Sequence, residues 1–151
     1  MENLLARKAV PADSSQLVEI RLKQLEEEGA VATGDIRRYL KDFYELQLDL
    51  ENFVSWVVCD DDKIIASSGI TFFYKPPYFL NPTGCIGEVS NMYTEPAYRR
   101  KGIGRQLLSL LCKEAGRRGC PMIQVTASEA GKPMYMEFGF RGNDQYLKLD
   151  I

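Results

Sequence analysis

Between Cys85 and Gly119 the apolar pattern changes period once, and that change restricts the fold more than any other feature of the chain. Cys85 to Thr94 is a candidate strand that follows a loop rich in turn residues. From Gly102 onward Ile103, Leu107, Leu110 and Leu111 fall on one helical face, opposite Gln106, Ser109, Lys113 and Arg117. Gly119 and Pro121 stop this helix, and Met122 to Ala127 returns to a strand pattern. A short helix over about Glu129 to Phe138 follows, with Pro133 in its first turn, and Gln145 to Ile151 closes the chain as a last strand. The second half therefore reads strand, helix, strand, helix, strand.

The first half has a different rhythm. Leu4 to Val10 predicts a short strand, after which Pro11 and Asp13 open a helix with Asp13 as cap, Gln16 at the capping-box position, and Leu17, Ile20, Leu22 and Leu25 as its apolar face. Gly29 ends it. Thr33 or Asp35 starts a second helix, with Ile36, Tyr39, Leu40, Phe43 and Leu46 or Leu50 at spacings of three and four. Phe53 to Cys59 and Ile64 to Phe73 form a hairpin around the Asp60-Asp61-Asp62 turn, and a loop with Pro76, Pro77, Asn81, Pro82 and Gly84 leads to Cys85. A hairpin-rich half joined to alternating strands and helices argues for a mixed α/β fold, with a central mixed sheet covered by helices on both faces in three layers. With 151 residues and no internal repeat or linker, residues 1–151 are expected to form a single domain.

Composition removes several chemistries. The chain has no histidine, which excludes Ser-His-Asp and Cys-His hydrolases and His-ligated metal enzymes; acid–base work falls to Glu, Asp, Tyr, Lys, Cys or water. Cys59, Cys85, Cys112 and Cys120 lack metal-site spacing and read as reduced thiols, so no metal is expected. Nineteen basic against twenty-one acidic residues leave no global positive field for nucleic acid or anionic lipid. The apolar runs fall well short of the roughly 20 residues that span a bilayer, and the start MENLLARKAV lacks a secretory apolar stretch, so a cytoplasmic protein is expected.

The segment Thr94 to Arg105 gathers four basic residues and two glycines between the strand and the helix. A helix N-terminus offers unpaired amides and partial positive charge, and glycine lets phosphate approach the backbone, so a pyrophosphate would fit; a solvated basic turn is the plainer reading. The Walker loop pattern is absent. The dinucleotide pattern fails because Leu107 stands where its third glycine belongs.

What the residues do match is Arg-x-x-Gly-x-Gly, following Pro96-x-Tyr98. With Tyr135-Met136-Glu137-Phe138-Gly139-Phe140 downstream, this resembles the GNAT superfamily of acyl-CoA-dependent N-acetyltransferases, closely over about residues 85 to 140 and in element order alone before that. The resemblance implies the GNAT-like acyl-CoA N-acyltransferase fold and acetyl-CoA as co-substrate. It implies that Arg99, Arg100, Lys101, Gly102, Ile103, Gly104 and Arg105 hold the pyrophosphate, and that Met92, Tyr93 and Thr94 pair with the pantetheine arm. Tyr135 would protonate the departing sulfur, and Glu88 would be the general base, directly or through water. Ser128 would cap the short helix or touch the cofactor.

The residues fit that chemistry on their own terms. Acetyl transfer to an amine needs a neutral nucleophile, a polarised carbonyl and a proton donor for the thiolate. Strand alternation puts Glu88, Ser90, Met92 and Thr94 on one face, and a tyrosine phenol is protonated at neutral pH. Glu88 paired with a neighbouring cation and Tyr135 as a buried structural residue are the competing readings. The resemblance locates an amine acceptor near 29–35, 72–80 and 141–146. The cluster Phe72, Phe73, Tyr74, Tyr78 and Phe79 suits an acceptor pocket, a homodimer contact or hairpin packing, of which the last is the ordinary fate. Two functions of different class remain: an N-acetyltransferase acting on a small-molecule or protein amine in a ternary complex, and a non-catalytic acyl-CoA-binding sensor on the same fold.

Overall fold

In a computed structural model, residues 3–142 and 146–151 are described. Strand β1 (Leu4–Lys8) is followed by helices α1 (Ser14–Glu27) and α2 (Arg37–Leu50), then by β2 (Phe53–Val54), β3 (Trp56–Asp60), β4 (Lys63–Tyr74) and β5 (Cys85–Thr94). Helix α3 (Ile103–Arg117), strand β6 (Met122–Val125) and helix α4 (Lys132–Phe138) complete the order. The sheet runs β1-β3-β4-β5-β6, antiparallel except for the parallel β5–β6 pair, and β2 adds to β4. One core, built from Leu17, Ile20, Tyr44, Leu48, Phe53 and Val57, lies under α1 and α2. Two others, centred on Leu108, Leu111 and Val89 and on Leu107 and Ile65, lie under α3 and α4. The expected three layers and mixed sheet are therefore present.

Several local expectations are corrected by contacts distant in sequence. The first strand ends at Lys8, and the hairpin's leading strand is broken at Ser55. Asp13 makes no side-chain cap to α1, because Arg7 takes its carboxylate in a two-point fork at 2.8 and 2.9 Å while the Val10 amide donates to it at 2.8 Å. Gln16 crosses to the hairpin, accepting from the Ile64 amide at 2.8 Å and donating to the Asp62 carbonyl. Helix α2 buries Tyr44 and Leu48, with Leu40 half-buried, and turns Tyr39, Phe43, Leu46 and Leu50 outward. The buried stripe runs through Leu40, Tyr44 and Leu48, with Tyr44 against Phe53 at 5.9 Å, while Phe43 meets the same Phe53 ring edge-on at 5.2 Å from the helix flank. The closing strand does not form: residues 146–151 have no strand partner, and Gln145 lies outside the described residues.

Helix α3 buries a carboxylate. Glu114 is 3% exposed and receives Lys8 at 3.2 Å, Arg118 at 3.1 Å and Arg117. Burial favours its neutral form, but the hydrogen bonds from Lys8 and Arg118 and the surrounding positive charge outweigh it and hold the carboxyl below its usual range. This network ties β1 to α3. All four cysteines are free thiols; burial pushes Cys59 and Cys112 up and Cys120 up to about 11, which makes them poor nucleophiles.

Candidate active site

Strands β5 and β6 run side by side from the Ile86–Met122 pair to the Val89–Val125 pair and then part. Just beyond, Asn91 adopts a left-handed φ of 59°, and the register of β5 against β4 slips between Ser67 and Gly69. Asn91 is the extra residue of a β-bulge, and Asn tolerates this backbone region better than most residues. Three elements hold it. Ser67 Oγ on β4 donates to the Asn91 carbonyl at 2.8 Å, the Asn91 amide group donates to the Tyr44 hydroxyl on α2, and Gln24 Nε2 on α1 donates to the Met92 carbonyl at 3.3 Å.

The bulge reverses which way later side chains point. Cys85, Val89 and Met92 all pack into the core under α3 and α4, although 89 and 92 are an odd number apart, and Tyr93 packs toward α1 and α2. Glu88 and Ser90 therefore face α1 and α2 and do not share a face with Met92 and Thr94, contrary to the simple alternation. Beyond the bulge Glu95 donates its amide to the Ile65 carbonyl at 2.8 Å. The antiparallel alternation then turns the peptide groups of Met92 and Thr94 away from β4, into the gap that β6 has left.

Next comes a single 3₁₀ turn, Pro96–Tyr98, held by the Tyr98 hydroxyl donating to Asp60 Oδ2 at 2.6 Å. Arg99 is a strut: it donates to the Thr94 carbonyl and to Glu27, both at 2.8 Å, and lies over the Tyr93 ring. Arg100 (φ 65°) and Gly102 (φ 77°) are both left-handed, which turns the chain sharply into α3. Gln106 is the first amide of α3 with a helical acceptor, Gly102 O, so the amides of Ile103, Gly104 and Arg105 point outward from the helix end. Over them lies a cleft of about 390 Å³. A Cβ on Gly104 would sit 3.3 Å from Met134 Sδ, so glycine keeps the cleft floor open.

Of the residues expected to hold the cofactor, Thr94, Arg99, Arg100, Gly102, Ile103, Gly104 and Arg105 line this cleft, joined by Met134 and Glu137 from α4. The remaining side chains have other tasks. Met92 packs in the core and offers its backbone, Tyr93 supports Arg99, and the Lys101 ammonium lies 5.5 Å from the Tyr98 ring centre. Ser128 Oγ accepts from the Gly131 amide at 3.1 Å, so its hydroxyl caps the turn before α4.

Tyr135 is 6% exposed, with Phe140 edge-on at 5.5 Å. Burial, with a smaller contribution from the negative charge of Glu28, pushes its phenol up to about 12, so it keeps its proton throughout the neutral range. Glu28, just past α1, accepts from Gln24 at 3.2 Å. The sequence reading missed the Gln24–Glu28 pair. Its signal was a polar residue in line with Leu17 and Ile20 on the buried stripe of α1, where Gln24 is 6% exposed. Glu88 is half-buried, opposite Thr71 on β4 and beside Gln124 on β6. Part of the expected acceptor region, Asn143 to Gln145, lies outside the described residues.

Comparison with known proteins gives a consistent pattern. The Acetyltransferase (GNAT) family model matches residues 16–140. A crystal structure of a predicted acetyltransferase from Clostridium acetobutylicum, solved with acetyl-CoA, is 37% identical, with a TM-score of 0.94 over 97% of this chain and 96% of that one. A GCN5-related N-acetyltransferase from Ralstonia eutropha JMP134 shares the fold with a TM-score of 0.90 at 22% identity, over 98% and 99% of the two chains. The glucosamine 6-phosphate N-acetyltransferase of Trypanosoma brucei brucei is 27% identical over 89 residues, a stretch that spans 59% of this chain and 58% of that enzyme.

Proposed function

The chain belongs to the acetyltransferase (GNAT) family, and from that membership we propose that it transfers an acetyl group from acetyl-CoA to a primary amine by direct attack within a ternary complex. The observation that carries this reading is the run of outward amides at Ile103, Gly104 and Arg105, beneath an open cleft and beside the gap between β5 and β6. A helix end of this kind binds anions such as a diphosphate, and Arg100 and Arg105 add charge at the cleft wall. The peptide groups of Met92 and Thr94 supply the edge along which the pantetheine arm lies, with an amide hydrogen bond polarising the thioester carbonyl.

The amine nitrogen attacks that carbonyl carbon, the carbon–sulfur bond breaks, and two proton movements complete the exchange. Tyr135 gives its proton to the departing thiolate, a task suited to a phenol that stays protonated up to about pH 12. Glu88 accepts a proton from the amine, directly or through water, from the α1–α2 face of the sheet. Base and acid thus approach the gap from opposite sides.

Release of coenzyme A thiol in the presence of acetyl-CoA and a panel of small-molecule and peptide amines tests this. Tyr135→Phe lowers turnover about 100-fold or more while acetyl-CoA affinity holds, and Glu88→Gln lowers turnover with the preferred amine. Binding of acetyl-CoA without release for any amine would leave the chain an acyl-CoA-binding module and refute the proposal.

A further inference from the structure

Helix α2 carries a second apolar stripe that the fold leaves outside. Ile36, just before the helix, and Tyr39, Phe43, Leu46 and Leu50 recur at spacings of three and four, and Tyr39 is 77%, Leu46 55% and Leu50 54% exposed. Leu40, Tyr44 and Leu48 supply the inward stripe, to which the outer one adds the edge of Phe43 on Phe53. Alternating steps of three and four make the seam along which two helices pack side by side.

The charges on α2 run against its own dipole. Arg37, Arg38 and Lys41 stand in its first five residues, Asp42, Glu45 and Asp49 in the remaining nine, and Glu51 follows. A lone helix is stabilised by the reverse order, with carboxylates at its start and cations at its end. The exposed pairs Arg38–Asp42 at 3.9 Å and Lys41–Glu45 at 3.8 Å also put the cation first, the less favourable order for residues four apart on a helix. A second helix lying antiparallel offsets both penalties, because the cationic start then borders its carboxylates and the negative end of its dipole. Residue size follows the same polarity. The aromatic members of the seam, Tyr39 and Phe43, precede its leucines, Leu46 and Leu50, so antiparallel pairing sets each ring against a leucine, whereas parallel pairing sets ring against ring.

We propose that two copies of this chain pair through α2, antiparallel across a two-fold axis, with Tyr39 against the partner's Leu50 and Phe43 against the partner's Leu46. Arg38 then lies between its own Asp42 and the partner's Asp49, and symmetry repeats every contact. A stripe of several hundred Å² on each copy brings the covered area to roughly 1,000 Å², the lower bound of a specific interface. Helix α2 lies on the face of the sheet opposite the cleft, which the pairing leaves open.

Sedimentation velocity tests the proposal. The wild-type chain associates to twice its 17.1 kDa mass, whereas Leu46→Glu, at a position already exposed to water, runs at the single mass and still unfolds cooperatively. Arg38→Glu breaks two equivalent ion pairs and raises the dissociation constant about tenfold, and Arg38→Glu/Asp49→Arg restores it. A monomeric wild type, a dimer that survives Leu46→Glu, or a charge swap that brings no recovery overturns the antiparallel pairing. Hydroxyl-radical footprinting of the wild type decides the matter even where a variant fails to fold. Oxidation of Tyr39 falls as the chain is concentrated and associates; oxidation that stays constant means the stripe remains open and refutes the proposal.

Discussion

Asn91 allows the backbone and the hydrogen-bond contributions to the bulge to be separated, because glycine, alanine and valine change them in different proportions. Asn91→Gly keeps the left-handed φ of 59° without strain but removes the hydrogen bond to Tyr44, which is 1% exposed and already pushed up to about 12 by burial. Leaving that buried hydroxyl without its partner costs about 1–2 kcal/mol. Asn91→Val removes the same bond and adds about 1–2 kcal/mol for a β-branched residue in the left-handed region. For a chain of this length each kcal/mol lowers Tm by about 2–4 °C, so the glycine variant loses a few degrees, the valine variant roughly twice as many, and alanine falls between them. Function separates them further. The glycine variant keeps the bulge and therefore the orientation of the Met92 and Thr94 peptide groups, so its KM for acetyl-CoA stays near wild type. The valine variant favours a regular strand, which would turn those groups back toward the β4 ladder, and its KM rises. Thermal unfolding and initial rates at saturating amine measure both effects. Glycine and valine variants of equal stability and equal KM would refute the argument that the bulge orients the thioester segment.

Two further outcomes follow from the geometry. The Cβ of Gly104→Val meets the flexible end of Met134 at 3.3 Å, and the branched side chain crowds the outward amides, so acetyl-CoA affinity measured by calorimetry falls at least about tenfold; unchanged affinity would remove this helix end from the site. Asp13 is held below the usual carboxylate range by its hydrogen bonds from Arg7. Its stabilisation is therefore fully present above about pH 4 and is lost as pH falls through the lowered folded value. Asp13→Asn costs about 1–3 kcal/mol near neutrality and flattens the acid limb of the stability curve, as denaturant unfolding between pH 7 and 3 would record.

What the sequence made legible is what local chemistry decides. Strand β5 has the expected bounds because Gly84 and Pro96 punctuate it, and Thr94, Arg99, Arg100 and Gly102 to Arg105 line one cleft because a strand, a glycine-containing turn and a helix follow one another there. Contacts that join distant segments were not legible. Alternation placed Glu88 and Met92 on one face, but the bulge that separates them depends on Ser67, Tyr44 and Gln24 from three other elements. Asn91 itself was the available clue, a turn-prone residue inside an otherwise regular strand. The cap assigned to Asp13 gave way to Arg7, and the buried Glu114 is paired with Lys8, 106 residues away in the sequence.

Both helical anchors of the bulge come from the face opposite the cleft. The cleft is built by α3 and α4, whereas the orientation of the peptide groups beside it is held by Tyr44 on α2 and Gln24 on α1. Two residues from the first half of the chain thus help hold the direction in which the Met92 and Thr94 peptide groups face. Glu88 looks toward the same two helices, and the charge of Glu28, hydrogen-bonded to Gln24, is felt by Tyr135 across the gap. The cleft and the face under α1 and α2 therefore share the bulge at Asn91 and Met92, which Tyr44 and Gln24 hold through one hydrogen bond each.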